Sequence, residues 1–152
     1  STSVFGSLAL DLTPRLTATA ELRWNVDDAT TNFIFSGLPR QLSNTWEAWL
    51  PRISLDFKWN ENVMLYASAA QGTKPGGFNT TLGAGAVQLP AELLPFDEEE
   101  AWSYELGVKS TLLDRRLILN AALFRTDWKG IQVDSQFIPP PPAVGTVGYT
   151  SN

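Results

Sequence analysis

The sequence predicts an all-β fold, an antiparallel up-and-down transmembrane β-barrel, of which these 152 residues would supply about six strands. Three observations carry that expectation. Three times, a two-residue alternation of apolar and polar side chains runs to a tight turn and reverses, as one-sided strands do. Each reversal leads to a connection of about twenty residues or more, and a compact soluble domain rarely carries several of those. Tryptophans stand at the ends of the apolar faces, where amphipathic rings mark a membrane–water boundary. Short turns at one end and long loops at the other complete the pattern of an outer-membrane barrel.

The first hairpin pairs Val4–Leu12 with Arg15–Val26. Leu8, Leu10 and Leu12 share a face in the first strand. In the second, Leu16, Ala18, Ala20, Leu22, Trp24 and Val26 fall on one parity, and Arg15, Thr17, Thr19, Glu21, Arg23 and Asn25 on the other. Thr13-Pro14-Arg15 makes the turn, because proline arrives with its φ already set. A long connection is expected from Asp27 to Leu50.

The second hairpin begins at Pro51. Ile53, Leu55, Phe57 and Trp59 alternate with Arg52, Ser54, Asp56, Lys58 and Asn60. Asn60-Glu61-Asn62 is the turn, and Val63–Gly72 returns with a weaker alternation. A second long connection, Thr73–Glu100, holds KPGGFN, the small-residue tract LGAGA and the acidic run FDEEE.

The third hairpin pairs Ala101–Ser110 with Arg116–Trp128 across Leu112–Arg115. Trp102, Tyr104, Leu106 and Val108 oppose Ser103, Glu105, Gly107 and Lys109. The return strand is ambiguous. Leu117, Leu119, Ala121 and Leu123 make an apolar face, yet Arg125 and Asp127 continue its parity. Either a bulge shifts the register near Phe124 or the strand has left the membrane there. The four prolines of FIPPPPAVGTVG bar a central strand and suggest a stiff polyproline segment. Tyr149–Asn152 is expected to start a further strand.

Composition narrows the function. A hydrophobic content of 43% and a mean hydropathy of -0.09 suit a barrel wall, whose inner half is polar, as well as a soluble domain. The net charge of -5 without a basic stripe disfavours nucleic acid. With no cysteine and no histidine, thiolate metal sites and the commonest general base are missing, and no catalytic motif surrounds any serine. No enzyme activity and no cofactor are expected. Nothing approaches the ~20 apolar residues of a membrane helix, and Ser1–Leu8 does not read as a signal peptide. About six strands cannot close a barrel, so the chain is expected to be a partial barrel domain over residues 1–152, without a plug.

Two blocks carry a resemblance. LPRISLDFKWNENVMLYASAAQGTKPGGFN and FDEEEAWSYELGVKSTLLDRRLILNAALFRTDWKGIQV resemble consecutive hairpins of TonB-dependent outer-membrane receptors, with E-L-G-x-K-S and L-N-A-A-x-F as the specific parts. The likeness covers Leu50–Val133 well and Val4–Val26 more loosely. It implies a 22-stranded barrel in the Gram-negative outer membrane, an internal plug, contact with the inner-membrane protein TonB, and energised uptake of a siderophore or another scarce nutrient. Outer-membrane lipid, the plug, TonB and a small nutrient ligand are the implied partners.

Several residues invite a sharper reading. Glu21, Arg23, Arg52, Asp56, Lys58, Glu105 and Lys109 lie on polar strand faces and are expected to face the lumen, as a wall of cross-strand charges or as a substrate path. Trp46, Lys74 and Phe78 are candidate ligand contacts. Asp97–Glu100 lacks the spacing of a calcium loop and reads as a solvated acidic edge. Gly72–Asn79 lacks the spacing of a phosphate cradle. The alternative function is a soluble β-sandwich or carbohydrate-binding module, whose tryptophans would cluster on a polar face. A passive porin or adhesin barrel is a third possibility.

Overall fold

The computed structural model describes residues 1–35, 38–79, 89–140 and 146–152. Its main body is one antiparallel six-stranded sheet. The strands are β1 (Thr2–Thr13), β2 (Leu16–Phe35), β3 (Leu38–Asn60), β4 (Val63–Lys74), β7 (Glu99–Leu112) and β8 (Leu117–Lys129), in the spatial order β1-β2-β3-β4-β7-β8. Two small ribbons stand apart from it: β5 (Gly77–Phe78) with β6 (Pro95–Phe96), and β9 (Val133–Phe137) with β10 (Val147–Ser151). The only helical turn among the described residues is a 3-10 turn at Ala91–Leu93.

The three short turns form for local reasons. The Thr13 hydroxyl accepts the Arg15 amide at 3.2 Å. The Asn60 side chain accepts the Asn62 amide at 2.8 Å, a side chain standing in for backbone. Between β7 and β8, Leu113, Asp114 and Arg115 all take positive φ (52, 52 and 68°), and the Arg116 amide closes onto the Leu113 carbonyl at 3.0 Å. Adjacent turns are tied by Lys58 N–H to Arg15 O and Thr111 N–H to Asn62 O, both 2.8 Å.

The sheet covers no core. Among the described residues, Leu89 and Val147 are the only buried hydrophobics. On the apolar face, Leu8 is 70% exposed, Leu106 60% and Leu123 76%. The accessible surface is 10912 Å², whereas a compact monomer of 16.7 kDa should expose about 7,600 Å². That excess counts against the soluble-module alternative.

Four expectations need correction. Asp27–Leu50 is not a loop. β2 and β3 stay paired without a break from Leu16↔Phe57 to Phe35↔Leu38, so the first connection is a long ribbon. No bulge occurs near Phe124, because β7 and β8 keep one register from Glu100↔Lys129 to Leu112↔Leu117. Arg125 instead pairs with its own-strand neighbour Asp127, Nη2 to Oδ1 at 2.8 Å. The second connection is shorter than expected, since β4 runs on to Lys74 and β7 starts at Glu99. Tyr149 and its neighbours do form a strand, but it pairs back onto β9. The Leu82–Ala86 tract and Pro141–Pro142 lie outside the described residues.

Candidate functional site

The wall comes first, because it places everything else. On each central strand the apolar face has a defined outer end. On β2 it runs from Leu16 to Val26, and the next residue of that parity is Asp28. On β3 it runs from Trp59 to Trp49, followed by Glu47. On β7 it runs from Leu112 to Trp102, followed by Glu100. Each stretch is ten residue steps long. The stretches do not lie square across the strands. By register, Val26 is level with Glu47, and Ser103 is level with Arg52 through Ala70. The apolar stretch of β7 is therefore set four residues nearer the short turns than that of β2, three strands away. Four residues of ~3.3 Å over three strand spacings of ~4.8 Å correspond to a tilt of about 40°. Ten steps at that tilt span about 25 Å along the normal, the height of the lipid-facing band of a membrane barrel.

Aromatic pairs close the band at both ends. Trp24 and Trp49 meet across strands at 6.3 Å, and Trp102 stacks on Tyr104 at 6.1 Å, both at the end away from the short turns. Phe57 and Trp59 meet edge-on at 6.2 Å at the turn end. Ser110, on the apolar face, hides its hydroxyl by donating to the Leu119 carbonyl at 2.6 Å, as a polar group in hydrocarbon must.

The opposite face is polar and cross-linked. Glu21 faces Arg52 across strands at 3.6 Å. Thr17 donates to Asp11 at 2.6 Å, and Arg23 to Ser3 at 3.2 Å. On β4 and β7, the Tyr66 hydroxyl donates to Glu105 and the Lys109 ammonium sits 5.1 Å from the Tyr66 ring centre. The ring lies over Gly107, where a β-carbon would come within 2.5 Å of Cζ. Asp56 and Lys58 share this face by register. Thus Glu21, Arg23, Asp56, Lys58, Glu105 and Lys109 lie on one surface. Phe5, Ile118 and Phe124, all exposed, break its polarity.

Beyond the band lies an outer mouth. Trp46, Lys74 and Phe78 all come to it. Trp46 and Lys74 have the parity of the polar face on β3 and β4, and the Trp46 and Phe78 rings are 5.9 Å apart. The mouth has a small cap with its own core, in which Leu89 and Val147 pack with Leu93, Leu94, Phe137 and Tyr149.

Three amide side chains that the sequence did not single out hold this cap. Buried Asn79 donates to Leu93 O (2.9 Å) and Thr150 O (2.7 Å), and its Oδ1 accepts Thr150 N–H at 2.7 Å. The Gln132 side chain donates to the Pro75 and Asp97 carbonyls, both at 2.9 Å, and its backbone amide donates to Glu99 at 2.7 Å. The Asn152 side chain donates to Gly130 O at 2.6 Å and accepts Asp97 N–H at 2.7 Å. Asparagine and glutamine in aperiodic segments give no sequence signal of such roles. Glu99, from the acidic run, is thereby committed to a neighbour.

Comparison with known proteins agrees with the wall. The profile described as TonB dependent receptor-like, beta-barrel, matches residues 1–152. The "Probable TonB-dependent siderophore receptor PiuA" of Acinetobacter baumannii is 32% identical over 135 residues, which are 88% of this chain and 18% of that protein. The "Catecholate siderophore receptor Fiu" of Escherichia coli is 40% identical over 68 residues, 45% of this chain and 9% of the relative. Among solved structures, the siderophore receptor PiuA from A. baumannii superposes with a TM-score of 0.71 at 28% identity, over 99% of this chain and 20% of that one. The ferric yersiniabactin uptake receptor FyuA from Yersinia pestis gives 0.70 at 25%, over 86% and 20%. The chain therefore spans about a fifth of the length of these receptors.

Proposed function

Because the chain belongs to the TonB-dependent receptor β-barrel family, we propose that it forms part of the wall and mouth of an outer-membrane receptor that takes up a ferric siderophore. The observation that carries this reading is the oblique apolar band. Its height and tilt fit a Gram-negative outer membrane crossed by strands. The short turns then lie in the periplasm, and the ribbon and cap outside the cell.

In this reading the polar face looks into the lumen and contacts a plug domain. Glu21–Arg52 and Tyr66–Glu105–Lys109 are braces of the wall, each cross-strand pair contributing a few tenths to one kcal/mol. The Trp46 and Phe78 rings, with the Lys74 ammonium on the same side, supply a surface for an aromatic anionic ligand by stacking and charge. Names of the relatives put siderophores first among candidates. Membership of the family supports energised uptake through TonB.

The test uses the full-length receptor in cells lacking their own siderophore receptors. Radioiron accumulation from a panel of ferric siderophores should appear for at least one, and only when TonB is present. No accumulation for any siderophore would refute the assignment. With an accepted siderophore, Trp46→Ala and Lys74→Ala should each raise the concentration giving half-maximal uptake. Unchanged values would remove those residues from the site but leave the transport reading standing.

A further inference from the structure

The β2–β3 ribbon changes character where it passes Trp24 and Trp49. Below that pair, the outward face is apolar and the inward face polar. Above it, the outward parity carries Asp28, Thr30 and Asn32 on β2 and Glu47, Thr45, Ser43 and Gln41 on β3, all exposed. The inward parity carries Phe33, Leu42, Trp46 and Ala48, all half-buried, interspersed with Asp27, Thr31 and Asn44. Apart from Ile34 and Pro39 near the tip, the outward face of the ribbon is thus polar above that pair, and its apolar side chains stand on the inward face. Such a ribbon has no lipid to face, and its stable position is leaning inward over the mouth.

Two further features say how it is held. β3 stays paired with β2 to Leu38, but its ladder with β4 ends at Arg52↔Ala70. The next residue of β3 is Pro51, which has no N–H to donate. β4 meanwhile continues its ladder with β7 to Lys74↔Glu99. On the β4 side, then, the ribbon is joined to the wall only below Pro51, while on the other side β2 stays paired with β1 as far as Thr2↔Val26. Above it, Trp46 reaches the cap and lies directly on Gly76. A β-carbon at Gly76 would come within 2.7 Å of the indole Nε1 and 2.9 Å of Cε2, and would also strike the Phe96 carbonyl oxygen. Phe78 flanks the same indole.

From these features we infer that the ribbon is a hinged lid over the mouth, bending along an oblique line from Val26 on β2 to Pro51 on β3, and that Trp46 on its glycine seat is the latch that holds it closed. The inward apolar side chains drive the lid down, because opening returns Phe33, Leu42 and Trp46 to water. The latch fixes where it stops. Its seat is tight, since any side chain larger than hydrogen at position 76 must displace both the indole and the Phe96 carbonyl. Gly72, four residues earlier on β4, is a natural control, as a β-carbon there meets nothing within 4 Å.

The experiment uses the full-length receptor in lipid, without ligand, so its outcome is separate from that of the uptake assay. Spin labels at Ser43→Cys on the lid and Glu92→Cys on the cap report their separation by pulsed dipolar spectroscopy. Gly76→Ala and Trp46→Ala should each broaden and lengthen the distance distribution, and in the Trp46→Ala background Gly76→Ala should add less than it does alone, because only its clash with the Phe96 carbonyl remains. Gly72→Ala should leave it unchanged. In parallel, a cysteine at Ala48, on the inward face, should react several-fold faster with a membrane-impermeant maleimide in both latch variants. Heat-modifiable gel mobility verifies that every variant is a folded barrel. An unchanged distribution in both latch variants would overturn the proposal, and so would equal broadening by Gly72→Ala. Additive effects in the double variant would overturn the shared seat.

Discussion

Arginine at Leu55 tests the membrane band at its most sensitive point. The apolar face of β3 extends from Trp49 to Trp59, so Leu55 lies one residue from its centre, roughly 2.5 Å from the midplane at a tilt of about 40°. Leu55 is 43% exposed on that face, with Ala18 and Ala67 as its cross-strand neighbours. Small neighbours leave an arginine side chain surrounded by lipid rather than by protein. The expected cost is about 2–4 kcal/mol, a fall of about 30- to 1,000-fold in the folding equilibrium. The same substitution at Ser54, one residue away on the polar face, should cost well under 1 kcal/mol. At Glu47, two residues beyond the aromatic boundary, it should cost almost nothing. The measurement is reversible unfolding of the full-length receptor from lipid vesicles by denaturant, with slopes compared to verify a common transition. A depth profile that is largest at Leu55 and vanishes at Glu47 supports the band. Equal costs at Leu55 and Ser54 would refute the assignment of faces, and a large cost at Glu47 would refute the placement of the boundary.

The remaining predictions concern the braces and the orientation. Asn79→Ala removes three side-chain hydrogen bonds from a buried site and should loosen the cap by about 2–3 kcal/mol, seen as on the order of hundredfold faster hydrogen exchange at the Thr150 amide; exchange at the wild-type rate would show that the cap does not depend on it. Gly107→Ala should cost about 1–3 kcal/mol by driving the Tyr66 ring off its seat, and in a Tyr66→Ala background the cost should nearly disappear, as a double-mutant cycle reads. Leu113→Gly should raise barrel stability by about 1 kcal/mol, because leucine there holds a φ of 52°; a loss instead would mean that the exposed leucine packs on something in the intact receptor. An epitope inserted at Ser43 should bind antibody on intact cells and one at Glu61 should not, and the reverse labelling would invert the proposed topology.

What could be read from the sequence was what the bilayer enforces. Lipid imposes a period of two and tolerates few exceptions, so the faces and turns of Leu16–Val26, Ile53–Trp59 and Trp102–Val108 were legible residue by residue. The Arg125–Asp127 pair was ambiguous because two physical situations, a slipped register and a strand beyond the membrane, give the same break in alternation. The register excludes the first. The cap was illegible because amide side chains hold it, and their partners are backbone carbonyls far away in the chain, such as Thr150 for Asn79. Trp46, Lys74 and Phe78 could be named but not assembled, since no sequence rule brings position 46 to position 78.

The misread ribbon carries the more general point. Asp27–Leu50 looked like a loop because the rule applied to it was the membrane rule, apolar outward on one fixed parity. Past Trp24 and Trp49 the solvent changes from lipid to water while the backbone continues unchanged. The same parity must then become polar, and the other parity becomes the one that hides. Asp28, Thr30 and Asn32 follow Leu22, Trp24 and Val26 on one edge-to-edge line, and Ala48, Trp46 and Leu42 follow Ser54 and Arg52 on the other. An alternation that reverses its phase without losing its period is therefore not the end of a strand. It is a strand crossing an interface, and the level at which the phase reverses marks that interface to within about two residue steps, roughly 5 Å of depth at this tilt. The inversion also explains why Trp24 and Trp49 occupy that step. An indole with an apolar body and one N–H donor satisfies both solvents at once, so the pair can occupy the one level of the ribbon where neither a leucine nor a glutamate would be fully accommodated.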